Sequence, residues 1–84
     1  MTLDYRYFGV QPIQQRPGRK TVDYTIIARD GDLLGRIEWY APWRQHVLAP
    51  TEGTVWSAGC LADVQHAIEK IKAHERERAA ARVK

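Results

Sequence analysis

Apolar and polar residues alternate along most of this chain, then switch to a helical period near residue 60. The opening TLDYRYF sets Leu3, Tyr5 and Tyr7 on one side and Thr2, Asp4 and Arg6 on the other, which predicts a half-buried strand. QPIQQRPGRK (residues 11–20) breaks that pattern with two prolines and a Pro17-Gly18 turn signal, and predicts a loop. TVDYTIIAR (residues 21–29) is β-branched and aromatic enough for another strand, and Asp30-Gly31 supplies the positive-φ chemistry of a tight hairpin. In the return strand LLGRIEWY, Leu33, Ile37 and Trp39 share one face, while Leu34, Arg36, Glu38 and Tyr40 share the other. Gly35 marks a bulge or a close approach by another element. Ala41-Pro42 interrupts the ladder because proline has no backbone donor, and Arg44 to Ala49 then forms a further strand ended by Pro50.

After a second turn at Thr51-Glu52-Gly53, Ser57 is suited to cap a helix. From Cys60 onward, Leu61, Val64, Ile68 and Ile71 fall three, four and three residues apart, on one stripe able to cover a sheet. Beyond Ile71 the segment KAHERERAAARVK is rich in helix formers but has no wide apolar face. Glu75 and Arg78 lie one turn apart, as charge pairs on solvated helices do. The expected fold class is therefore α+β: an antiparallel meander of three to four strands packed against one C-terminal helix. Residues 1–74 form a single domain in this reading, and 75–84 a charged helical tail.

Composition narrows the classes of function. At 84 residues the chain has little scaffold with which to surround a deep active site, so a ligand is expected on the sheet or between subunits. Cys60 is the single cysteine, which excludes an internal disulfide, and no apolar run reaches membrane-spanning length. Both favour a reducing, cytoplasmic setting. The net charge of +3 is modest and unevenly spread. Residues 1–20 carry Arg6, Arg16, Arg19 and Lys20 against Asp4, residues 21–60 are net acidic, and residues 61–84 are net basic. This is not the dense basic stripe of an obligate nucleic-acid binder.

Candidate chemistry is sparse. Cys60 falls in the predicted first helical turn, where peptide dipoles favour a thiolate, and His46 is the base that would have to reach it. No third group orients that histidine and no oxyanion feature accompanies it, so Cys60 reads as a small apolar residue at the sheet–helix junction. His66 and His74 are eight residues apart, not the three or four of a helical metal pair, so no metal or cofactor is expected. Binding residues are better candidates. Trp39 lies in phase with Ile37 and is expected in the core, and Trp56 is expected at the sheet–helix junction. Trp43, beside Pro42 and Arg44, has no apolar phase-mate and is the best contact anchor. The second sheet face, with Leu34, Arg36 and Tyr40 and with Tyr24 as a further member, must meet water, another subunit or a partner, because one helix covers only one face. Arg16, Arg19 and Lys20 are placed to contact phosphates.

LGRIEWYAPWRQHVLAP followed by SAGCLADV resembles small uncharacterised proteins of tailed phages and prophages. In these, a WY-x-x-WR hairpin precedes a CL-x-D helix start. The resemblance covers about residues 33–71 and implies a phage accessory setting, in which a compact non-enzymatic protein binds and blocks a host or defence-system component. Two other readings stand beside it. One is a nucleic-acid-binding module using the basic loop and aromatic face. The other sequesters a nucleotide-like signalling ligand at a subunit interface, with Trp43 stacking and Arg44 on phosphate. The binding set common to these readings is Trp43, Arg44, Tyr40, Arg36, Arg16, Arg19 and Lys20.

Overall fold

Among residues 1–13 and 21–82, which the computed structural model describes, the chain forms five strands and one helix. These are β1 (Leu3–Asp4), β2 (Phe8–Pro12), β3 (Tyr24–Ala28), β4 (Leu33–Tyr40), β5 (Gln45–Pro50) and α1 (Ala58–Arg82). Every strand pairs antiparallel with its neighbour in chain order, giving a β1-β2-β3-β4-β5 meander. The fold is α+β, with the C-terminal helix packed on one face of the sheet. Phe8, Val10, Tyr24, Ile26 and Ile37 from the sheet meet Val64, Ala67 and Ile71 from the helix, and all eight are buried.

Turn chemistry explains the strand boundaries. Gly31 takes φ of 98° after a turn in which its N–H donates to Ala28 O at 2.9 Å, and Ala28 N–H donates to Asp32 O at 2.8 Å. This is a three-residue loop ending in a left-handed glycine, a connection whose twist matches the flanking strands. Ser57 caps α1 as expected: its Oγ accepts from Cys60 N–H at 3.1 Å, satisfying one of the free donors of the first turn. Trp56 lies at the sheet–helix junction, edge-on to Phe8 with ring centroids 6.3 Å apart, and its Nε1–H donates to Thr54 Oγ1.

Four local expectations are corrected. TLDYRYF is not one strand but a hairpin, in which Tyr5 N–H donates to Phe8 O at 2.8 Å and the chain bends at Arg6-Tyr7. Tyr7 is consequently exposed, with the Arg6 guanidinium 5.2 Å from its ring centre, and part of the expected loop, Gln11-Pro12, belongs to β2. In β4 the pairing shifts from Ile26↔Gly35 to Ile27↔Leu33, so Leu34 is an extra residue. That bulge turns Leu33 out onto the open face opposite Ile27 and lets Leu34 pack against the core. Tyr24 belongs to the core and not to the open face, because it shares β3's inward phase with Ile26. On α1, Leu61 is exposed and Ile68 only partly buried, while Ala67 is fully buried. The inward stripe is therefore Val64, Ala67 and Ile71, again three and four residues apart but rotated from the one expected.

The helix continues without interruption past Ile71 to Arg82. Glu75 and Arg78 are half-buried and joined by an ion pair at 3.3 Å, so this part of α1 still touches the globule. Gly35 answers to both features expected of it. The bulge lies beside it, and β5 approaches so closely that an added Cβ would sit 2.9 Å from Ala49 O.

Candidate functional site

The β4–β5 hairpin offers two different surfaces, one on each side of the sheet. Its loop, Ala41 to Arg44, is held by Trp43 N–H donating to Tyr40 O and Arg44 N–H donating to Ala41 O. To close the loop, Arg44 adopts φ of 53°, the one left-handed non-glycine residue among those described. A side chain other than glycine in that region costs about 1 kcal/mol, so the loop holds Arg44 against a local preference.

On the face away from the helix lie Arg36, Glu38 and Tyr40, opposite in phase to buried Ile37. Tyr40 and Trp43 pack edge-to-face, with ring centroids 5.1 Å apart and planes at 84°. Both rings remain open to solvent, Trp43 at 66%. Arg36 is exposed four residues back along the same strand, about 13 Å from Tyr40 at the usual strand rise. Thus the structure brings Tyr40 and Trp43 into contact, sets Arg44 next in the chain, and leaves Arg36 as a separate cation on the same face. Arg16, Arg19 and Lys20 lie outside the described residues.

On the helix side, the same hairpin forms a cleft with the second half of α1. Trp39, expected in the core, is only half-buried, because it lies beyond the buried part of the helix stripe. Its ring meets His46, its cross-strand partner, with centroids 5.5 Å apart and planes at 74°. His46 Nε2 lies 3.1 Å from Val22 O; a carbonyl only accepts, so Nε2 carries the proton. That contact ties His46 to the segment before β3, whereas Cys60 sits half-buried at the start of α1 with its N–H on Ser57. Trp39, Arg44, His46, Ile68, Lys72 and Arg76 are among the residues lining a cleft of about 480 Å³.

Two tyrosines near the helix have acid constants shifted by their surroundings. Burial raises the Tyr24 phenol above its ordinary value near 10, and the negative charge of Glu75 adds to this while Arg78 opposes it. Tyr5 is raised first by burial and then by Asp63, and its hydroxyl lies 2.7 Å from His66 Nδ1. His66 remains a surface residue, and its contact with Tyr5 links the chain just after β1 to α1.

Sequence reasoning did not find the cleft. Its signal was present but divided: a tryptophan at the outer end of an apolar phase, and Lys72 and Arg76 four residues apart on a helix, which places them on one face.

Comparison with known proteins gives one informative relative. Over 56 residues the chain is 32% identical to the "Uncharacterized 9.3 kDa protein" of Acholeplasma phage L2, a match covering 66% of this chain and 72% of that protein. No protein-family profile and no solved structure matches the chain.

Proposed function

We propose, for a chain that belongs to the same family as that phage L2 protein, a non-enzymatic phage accessory role: binding and blocking a host or defence-system protein in the host cytoplasm. The observation that carries this reading is the solvent-exposed Tyr40–Trp43 pair on a short, proline-containing loop. Trp and Tyr are among the residues whose loss weakens protein interfaces most, and here the two rings stand together in solvent. A loop already closed by two backbone hydrogen bonds loses little further freedom on binding, so more of the contact energy appears as affinity. Glu38 beside Tyr40, and Arg36 farther along the same face, supply the polar rim that such a contact surface needs.

The test is site-specific photo-crosslinking. A photoreactive phenylalanine analogue placed at Trp43 is exposed to host extract, with the same analogue at Val55, which is 92% exposed, as the control position. The expected result is a discrete protein adduct at position 43 that survives nuclease and is missing at position 55. In the otherwise native chain, Trp43→Ala should weaken capture of the identified protein by about 2 kcal/mol or more while the fold is kept. Identical adducts at both positions would refute the assigned surface. Adducts that vanish with nuclease would favour a nucleic-acid-binding module.

A further inference from the structure

We infer that the cleft between α1 and the β4–β5 hairpin binds a free nucleoside phosphate, a small planar ring carrying a phosphate. This site lies on the opposite side of the sheet from the Tyr40–Trp43 surface and within one chain. Its volume of about 480 Å³ falls inside the usual range for small-molecule sites, about 300–1,000 Å³.

Three features point to that ligand class. First, Trp39 and His46 stand at 74° and form a corner. A planar guest parallel to one ring meets the other edge-on, so both contacts have the favoured aromatic geometry at once. Second, three cations line the cleft. Lys72 and Arg76 project from one helix face a turn apart, and Arg44 enters from the hairpin. Among the described residues none of these three is in an ion pair. Of the two carboxylates at the cleft, Glu75 is held by Arg78, which leaves Glu69 against three cations. The surplus positive charge suits a phosphate, and Glu69 remains as an acceptor for a ribose hydroxyl or an exocyclic amine. Third, Arg44 lines the cleft from a left-handed backbone position that closes the hairpin loop, and strained residues gather at ligand sites.

The experiment is calorimetric titration of the intact chain with adenosine and guanosine 5′-monophosphates, the matching nucleosides, inorganic phosphate and a short single-stranded oligonucleotide. The mononucleotides are expected to bind at least about tenfold tighter than either the nucleosides or inorganic phosphate, because base and phosphate are held together. Lys72→Glu/Arg76→Glu, two exposed helix positions, should weaken mononucleotide binding by at least about tenfold with melting temperature kept. Trp39→Phe preserves an aromatic wall and should retain binding, whereas Trp39→Leu should lose it. Absence of mononucleotide binding at about 1 mM would overturn the proposal. So would binding indifferent to Lys72→Glu/Arg76→Glu in a folded protein, or an oligonucleotide that binds while mononucleotides do not.

Discussion

Replacing Gly35 by alanine tests how tightly β5 is held against β4. The added methyl would lie 2.9 Å from Ala49 O and 3.1 Å from Pro50 Cα, against an ordinary limit of 3.4 Å for such contacts. Both are backbone atoms, so no side-chain rotation relieves the clash, and the end of β5 must retreat by about 0.5 Å. That movement pulls on the Gly35↔Pro50 pairing and on Thr51 N–H, which donates to Leu34 O at 3.0 Å. Overpacking of this kind costs about 1–3 kcal/mol, partly offset by the about 0.4–1 kcal/mol that alanine gains through a less free unfolded chain. The net loss is about 1–2 kcal/mol, which in a domain of this size lowers the melting temperature by about 5–15 °C. Gly59→Ala is the matched control. It lies in the first turn of α1, where a methyl meets only Ser57 Oγ at 3.8 Å, and alanine's higher helix propensity should stabilise by up to about 1 kcal/mol. Urea unfolding followed by tryptophan fluorescence reads both variants. The same substitution should thus act with opposite sign at two positions. A Gly35→Ala protein as stable as the native one would show that β5 does not pack on β4 as described.

Ile71→Ala should cost about 2–4 kcal/mol through lost burial and a residual cavity, while Leu61→Ala, at an exposed position, should stay within about 0.5 kcal/mol. Equal urea midpoints for the two would displace the observed helix face. Arg44→Gly should raise stability by up to about 1 kcal/mol by relieving the left-handed backbone, and should at the same time weaken nucleotide binding in the titration above. A destabilised Arg44→Gly protein would argue that the arginine side chain supports the loop. For Tyr24, the folded-state pKa lies above the unfolded value near 10, so the neutral phenol is favoured by folding. Its contribution is fully present below about pH 10 and is lost as pH rises through the folded value. Melting temperature should therefore fall on the alkaline side, and Tyr5→Phe/Tyr24→Phe should flatten that fall.

Local chemistry was legible wherever one residue's conformational needs were at stake. The change from alternation to helical spacing, the Ser57 cap, the positive φ at Gly31 and the crowding at Gly35 all follow from backbone sterics and neighbouring donors. The solvent-exposed ring of Trp43 likewise follows from its position outside every apolar phase. These signals are short-ranged and need no knowledge of what the segment packs against.

Distant geometry decided the rest. Alternation in TLDYRYF does not reveal that the chain reverses at Arg6-Tyr7, because the reversal is stabilised by pairing β1 with β2 and by Arg29 reaching the Tyr5 carbonyl and Asp4. The bulge at Leu34 exchanges the two leucines between faces, and one inserted residue leaves no trace in a period-two pattern. Which members of the helix stripe are buried depends on where α1 crosses the sheet: Ala67 is fully buried there and Leu61 is exposed. The same crossing leaves Trp39 half-covered and places Lys72 and Arg76 across a cleft from His46, residues far apart in sequence. Periodicity determined which residues share a face only where no bulge or reversal interrupts the element. How the helix packs on the sheet, a property of the whole core, determined how much of that face is filled and where it stays open.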